Sequence, residues 1–351
     1  MNDEFNIICR KLKPFFKDKR GICSKANDIL IENLSKILEL DVIKFPSGEC
    51  LEGWEVPKGW ELLSGTVKIG NKLFTHENCE LMVPFGTKSF SFKGKFSEIK
   101  NELIITASSE DFVSYRTQYY KENKKVICLP IKSANDISED ENIEINILSK
   151  EFDHHITIGE LFVKGKSNKT IIISTYNCHP GLGNDNFSGL LSWTYLANQI
   201  KKRQNNFYSY RFVVAPETIG SIAYIKYLKQ NNLKDRIIHS LILTCLGGKE
   251  RNYSYKKSPY SNGYSRYLDK FLMNHPTEID LREFSHDGSD ERQYSSPGVN
   301  ISSSSLCRNR YYEYPEYHTS ADNWEYMNED SVEESSLILL DLLNNADKNV
   351  R

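Results

Sequence analysis

Residues 170–189 read TIIISTYNCHPGLGNDNFSG. The first six, TIIIST (170–175), form a short apolar run of strand length, the pattern of a strand buried on both faces in a parallel sheet. A loop rich in Gly and Asn follows, and then GLLSWTYLANQI (189–200), which reads as an amphipathic helix. The alternation continues downstream. YRFVVA (210–215) reads as a second buried strand, SIAYIKYLKQ (221–230) as a second helix and IIHSLILTCLG (237–247) as a third strand. Strand, helix, strand, helix, strand predicts an α/β domain with right-handed crossovers. Ligands in such sheets sit beyond the carboxyl ends of the strands, and there the unusual residues cluster.

The loop TYNCHPGLGNDNFSG (175–189) holds His179 and Asp185. An imidazole and a carboxylate brought together at a strand end suit Zn2+. The same loop also reads as a strand-to-helix turn capped by Ser188 or Asn186. In APETIGS (215–221), Glu217 directly follows a buried strand. A carboxylate there needs a partner, because burying an unpaired charge is costly; a metal supplies one, and so does the N-terminus of the next helix. His318 lies among turn formers and acids in YPEYHTSADN (314–323), and SHDGSDERQYSSPG (285–298) gathers His286, Asp287, Asp290, Glu291 and Arg292 in what by itself reads as a solvated loop. Cys245, at the end of the third strand, reads as a small core residue. No one cluster identifies a site. Jointly, two histidines, an aspartate and a glutamate at strand ends or adjacent loops compose a zinc or dizinc site.

Working outward, residues 3–40 carry apolar positions at helical spacing: Phe5, Ile8, Leu12 and Phe15, then Ile29, Leu30, Leu34, Ile37 and Leu38. From residue 45 to 131 the texture is of short alternating runs (VKIG, KSFSFKGKF, ELIITAS, KKVICLPI) punctuated by turn residues, which predicts a β-rich unit. The polar, acidic stretch 134–144 reads as a boundary loop. The predicted organisation is therefore an α/β domain of residues 1–44 and 146–351, interrupted by a β-rich domain of residues 45–145.

Lysine plus arginine total 45 against 47 aspartates and glutamates, a net charge of −2, which gives no electrostatic ground for a nucleic-acid or membrane partner. No run of about 18 apolar residues predicts a membrane span, and the N-terminal residues lack the pattern of a signal peptide. The eight cysteines are scattered without a CxxC pair and read as reduced thiols of a cytoplasmic protein.

In their order, H-P, N-D-N-x-S-G, P-E-T-I-G-S, G-S-D-E-R-Q-Y and Y-P-E-Y-H-T-S-A-D-N resemble the zinc aminopeptidase-like proteins, a family carrying an aminopeptidase-like domain of unknown function. FPSGECLEGWEVPKGWEL (45–62) and VSYRTQYYKENKKVICL (113–129) resemble the β-rich unit that this family carries inside the peptidase domain, so the resemblance covers most of residues 45–323. The family in turn is similar to the co-catalytic zinc exopeptidases. The resemblance implies a mixed sheet flanked by helices and one or two zinc ions. It implies that His179 is the first-metal histidine, that Asp185, in D-x-x-S-G, bridges two metals, and that His318, in H-T-x-x-D, is the second-metal histidine. Asp290 matches an aspartate of the S-D-H motif that stands behind the ligands. Two departures concern the chemistry. Pro216–Glu217 supplies one of the usual two adjacent glutamates, leaving Glu217 as ligand and, on reorientation, base, with Asp290 or Glu316 as other candidates for the base. Thr244–Cys245 stands where relatives have an aspartate ligand, so that Cys245 binds zinc as a thiolate or that metal position is weak or empty.

The implied activity is zinc-dependent hydrolysis of an amide bond in a peptide, an aminoacyl group or a small acylated metabolite. Glu217 and Asp290 are the candidate catalytic residues, and Arg292, Tyr294, Tyr311, Tyr312 and Tyr314 line the pocket. The alternative is an acyl-transferring or non-catalytic relative that binds a small ligand in the same metal pocket. The β-rich insertion serves as a lid or as the dimer surface of a homo-oligomer.

Overall fold

Every residue of Thr170–Tyr176 and of Ser209–Ala215 is buried, as strands covered on both faces must be. The structure, a computed structural model, describes residues 2–117 and 125–349; residues 118–124, in the VSYRTQYYKENKKVICL motif, lie outside the described residues. The two strands sit within an eight-stranded mixed sheet. Its strands are β1 (Asp41–Pro46), β2 (His155–Val163), β3 (Thr170–Tyr176), β4 (Ser209–Ala215), β5 (Ile237–Leu243), β6 (Tyr253–Lys256), β7 (Ile279–Arg282) and β8 (Ser303–Arg308). They lie in the order β1-β2-β4-β3-β5-β8-β6-β7. Neighbours β4, β3, β5 and β8 run parallel, and β2 and β6 run antiparallel to the strands that flank them on the inside.

The side-chain alternation of the strands assigns the helices to faces. Ile171, Ile173, Phe212 and Val214 meet Leu190, Leu191 and Trp193 of α3 (Ser188–Lys202) on one face. Ile172 and Val213 meet Ile222 and Ala223 of α4 (Ile219–Gln230) on the other. The chain steps from β3 to β4 in one direction and then back across β3 to β5. Right-handed crossovers in opposite directions require helices on opposite faces, and the crevice opens at the reversal.

α3 departs from the amphipathic reading, since Ser188 through Ala197 are all buried. Its outer face is covered by α1 (Asp3–Leu12), where Phe5 meets Tyr195 edge-on at 5.6 Å, and by α5 (Glu329–Asn349), where Ser336 donates to Ser192 at 2.9 Å. The helical reading of residues 3–40 is also corrected. Pro14 opens a short 3-10 turn after α1, and the helix resumes as α2 (Lys25–Leu38), capped by Ser24. Leu30, Leu34 and Leu38 of α2 join Phe5, Ile8 and Leu12 in the cluster around α3.

The β-rich unit has a core of its own, with Val67, Phe74, Ile99, Ile127, Ile143, Ile145 and Ile147 at its centre. Its four-stranded antiparallel sheet runs in the order Lys72–Thr75, Gly59–Ile69, Asn142–Phe152, Phe90–Lys95. Beside it Leu103–Thr106 pairs in parallel with Lys125–Cys128. The crossings fall later than residues 45 and 145: β1 stays in the main sheet to Pro46, and Asn142–Phe152 belongs to the smaller one. The stretch read as an acidic loop hides the start of this strand, in which Ile143, Ile145 and Ile147 point inward and alternate with polar residues. Among the described residues no helix is long and apolar enough to cross a membrane, and all eight cysteines are unpaired.

His239 on β5 is fully buried, its ring nitrogens 3.0 Å from the Ser302 hydroxyl and 2.8 Å from that of Ser304. Burial pushes its pKa down from 6.5 to about 3, so the folded chain keeps it neutral while the unfolded chain takes up a proton. Its contribution is whole above pH 6.5 and is lost as pH falls from 6.5 toward 3, at about 1.4 kcal/mol per pH unit. In urea unfolding, the stability gap between wild type and His239→Asn should shrink by about 2 kcal/mol between pH 7.5 and pH 5. A gap that stays constant would refute this account of the buried imidazole.

Candidate metal centre

The loops that follow β3, β4, β5 and β8 meet in the crevice. The N-D-N-x-S-G motif bolts the first of them to the others. Asn184 accepts from the Gly247 amide at 2.8 Å and donates to the Asn309 carbonyl at 3.2 Å. Asn186 donates to the Thr175 hydroxyl at 2.9 Å and accepts from the Cys245 amide at 3.2 Å. Ser188 accepts from the Leu246 amide at 2.8 Å. Gly189 admits no side chain: a Cβ there would lie 2.3 Å from Asn186 Oδ1 and 2.6 Å from the Leu243 carbonyl oxygen. Asp322 completes the loop, its carboxylate accepting from the amides of Asn184 (2.6 Å) and Asp185 (3.0 Å).

This scaffold sets Asp185, 2% exposed, between two partners. The Tyr176 hydroxyl donates to Oδ1, and His318 Nε2 lies 3.0 Å from Oδ2. Burial alone would raise the Asp185 carboxyl, but His179, His318 and the Tyr176 hydroxyl outweigh it and hold the group at about 2. His179 is buried, and burial pushes its pKa down against the pull of Asp185 and Glu217, keeping the imidazole in the neutral form that metals bind. Ligand atoms of His179, Asp185 and His318 all lie within 4.8 Å of one another. Glu217 borders this group, with Oε2 3.9 Å from His179 Nε2 and Oε1 accepting from the Ser289 hydroxyl at 2.8 Å. Of the four residues singled out as metal ligands, three thus lie within mutual reach and Glu217 stands beside them.

Other expected residues stand elsewhere. Asp290, 1% exposed, accepts from the Thr218 amide at 2.7 Å and the Ser221 hydroxyl at 3.0 Å, so it fixes the turn behind Glu217. Burial, then the charge of Glu217, pushes its carboxyl up to about 7. Tyr294, one turn after Asp290 on the short helix Glu291–Tyr294, is wholly buried among Ile219, Ile222 and Tyr224; it does not line the pocket. Arg292, between them, is half-buried. Tyr312 is 72% exposed at the rim, packed on Tyr317. Tyr314 is buried and donates to Asp322 at 2.9 Å, so it supports the Asp185 loop rather than a ligand. Cys245 is buried against Cys307 and Tyr311, its thiol pushed well up by burial and by Asp185, and it is not part of the close group. Glu316 is half-buried, its carbonyl accepting from the Thr319 amide at 3.0 Å.

Sequence reasoning missed Tyr115. It comes from the β-rich unit, where Ser114 forms an antiparallel bridge with Thr319 and the Tyr115 amide donates to the His318 carbonyl at 2.6 Å. Its ring centroid is 5.2 Å from those of both His179 and His318. Its only signal was membership of the VSYRT segment; no periodicity points to the metal ligands. Tyr115 and Cys178 also line a cleft of about 610 Å³ between the two units, with Arg20, Trp60, Phe85 and Trp324 among its walls.

Residues 9–349 match the model of a family described as "Domain of unknown function (DUF4910)". A Clostridium acetobutylicum protein named for polysaccharide biosynthesis and for an aminopeptidase-like domain is 33% identical over 345 residues, covering 97% of this chain and 78% of its own. A solved C. acetobutylicum structure, named as a peptidase, superposes with a TM-score of 0.85 at 30% identity, covering 99% of this chain and 81% of the other. The zinc aminopeptidase BSAP of Bacillus subtilis superposes with a TM-score of 0.69 at 15% identity, covering 98% of this chain and 94% of the other. The fold is thus aminopeptidase-like.

Asp322→Ala would leave two buried amides without an acceptor, an expected loss of about 2–4 kcal/mol, whereas Tyr314→Phe, which removes one hydroxyl, should cost about 1 kcal/mol. Urea unfolding of both variants checks the ranking, and equal losses would contradict it.

Proposed function

The chain belongs to the family described as "Domain of unknown function (DUF4910)", and within it we propose that this protein is a zinc-dependent hydrolase of an amide bond, in a peptide, an aminoacyl group or a small acylated metabolite. The observation that carries the reading is the convergence of His179, Asp185 and His318 beyond the ends of parallel strands, with Glu217 bordering them at His179. The donor set suits zinc: two imidazoles and two carboxylates. Ligands 2.0–2.2 Å from a tetrahedral zinc are about 3.3 Å apart, and the separations of 3.0 Å (His318–Asp185) and 3.9 Å (His179–Glu217) bracket that spacing.

Zinc held there would polarise the substrate carbonyl and lower the pKa of a bound water to about 7. The residues of the chain have separate tasks. Ser289 grips one oxygen of Glu217 and turns the other toward His179, which supports Glu217 as a ligand. Tyr176, itself 2.7 Å from the Thr244 hydroxyl, donates to Asp185 Oδ1 and so orients the carboxylate for one or two ions. Tyr115 screens the histidines from the cleft side, and the aromatic walls offer apolar faces to a substrate. The name of the Clostridium relative supports an amide on a sugar or related metabolite. Unpaired cysteines support a cytoplasmic setting.

A second reading, ligand binding or acyl transfer without hydrolysis, is favoured by Pro216, which stands beside Glu217 where the resemblance to zinc exopeptidases implies a second glutamate. Turnover of a panel of aminoacyl amides by the zinc-loaded protein separates the two: cleavage of none, with binding retained, would favour the second.

Glu217→Gln should lower both zinc affinity and turnover, the latter by about 10²-fold or more. Zinc titration and rates measured on the same preparation decide the role. Undiminished zinc affinity with lost turnover would make Glu217 the base alone, and retention of both would remove it from the site. His318→Ala should reduce bound zinc by elemental analysis; unchanged zinc would refute that ligand.

A further inference from the structure

A second set of metal-ligating side chains converges where the chain leaves and re-enters the β-rich unit, apart from the centre just described. Asp28 stands in the first turn of α2, His155 opens β2 and His154 precedes it. His154 Nε2 lies 3.1 Å, and His155 Nε2 3.2 Å, from the same oxygen of Asp28, Oδ2. All three ligand atoms lie within 4.8 Å of one another. We propose that Asp28, His154 and His155 bind a divalent transition-metal ion of the zinc type, which staples the neck of the β-rich unit to the aminopeptidase-like domain.

The spacing is the first argument. Ligand atoms around a tetrahedral zinc are about 3.3 Å apart, close to the 3.1 and 3.2 Å found here. The second is the absence of hydrogen bonds. Both Nε2 atoms are shielded from solvent, yet neither makes a hydrogen bond, even to the carboxylate beside it. Two imidazoles that approach one oxygen without directing an N–H at it are arranged as co-ligands around a common point rather than as donors. The third is the support behind the ligands. The Thr157 hydroxyl donates to Asp28 Oδ1, fixing the carboxylate so that Oδ2 faces the rings. The Ser47 amide donates to the His154 carbonyl at 2.9 Å, and the His154 amide donates to the Ser47 hydroxyl at 3.1 Å. The outgoing and returning connections are therefore tied to each other at the ligands.

The side chains of His154, Asp28 and His155 retain 12, 20 and 23% exposure, so the cluster lies near the surface. Two imidazoles and one carboxylate select Zn2+, Co2+, Ni2+ or Cu2+ over Mg2+ and Ca2+, which prefer all-oxygen sites.

The test counts metal rather than turnover. Chelator-stripped wild type, His179→Ala and the double variant His154→Gln/His155→Gln are equilibrated by dialysis against Zn2+, and bound zinc is measured by mass spectrometry. The double variant should hold one equivalent less than wild type, and His179→Ala should keep that equivalent. Zn2+ should also raise the unfolding temperature of His179→Ala, and should not do so once His154 and His155 are replaced as well. A folded double variant with the zinc content of wild type would overturn the proposal. Anomalous scattering at the zinc edge from wild-type crystals needs no variant: a peak among the three side chains supports the site, and an empty position at saturating zinc overturns it whatever occupies the centre near His179.

Discussion

A right-handed crossover that reverses its direction along a sheet must also change faces, and β4 is where this chain does both. Helices α3 and α4 lie on opposite faces for that reason. The loops after β3 and β4 part over the sheet instead of packing on one side, and the crevice between them is the natural place for a ligand. The two remaining loops, after β5 and β8, close the crevice because those strands run parallel to β3. His179, Asp185, Glu217 and His318 then need only the correct loop conformations, which Asn184, Asn186, Ser188 and Asp322 enforce by hydrogen bonds from one loop to the next.

The charge in this region asks for a counterion. Asp185, Glu217, Asp290 and Asp322 crowd into a small, largely buried volume in which two histidines and the buried Arg20, which donates to the His179 carbonyl at 3.1 Å, stand nearby. Asp290 and Asp322 are each carried up to about 7, first by burial and in part by the charge of a neighbouring acid. Carboxylates that raise one another in this way are relieved by a divalent cation. The acids belong to two layers: Asp185 and Glu217 face the space where the ion would lie, and Asp290 and Asp322 hold the backbone of those two.

Much of this was legible in the chain. The apolar runs of β3, β4 and β5 are buried on both faces and announce themselves without a partner. Of the four candidate ligands, His179, Asp185 and Glu217 stand in motifs next to β3 and β4. What was illegible depends on contacts made at a distance. α3 reads as amphipathic because Ser192, Thr194 and Tyr195 look like a solvent face, and only α1 and α5 folding over it make that face interior. Asn142–Phe152 begins within an acidic stretch, and its inward isoleucines count only once a neighbouring sheet exists. Tyr294 has the composition of a pocket residue but follows Asp290 by one helical turn, so it points into the core with it. Tyr115 reaches the histidines only through the pairing of Ser114 with Thr319, which no local pattern encodes.

The anchoring of Asn184 and Asp185 by Asp322 also fixes when the centre can exist. A nascent chain emerges from the ribosome N-terminus first, so all strands of the main sheet are synthesised before Asp322 appears. Until then the two amides lack their acceptor, and the loop that carries His179 and Asp185 is held only by the bonds of Asn184, Asn186 and Ser188. No N-terminal fragment that ends before residue 322 contains the assembled site. The centre is therefore assembled late, from long-range contacts that await Asp322.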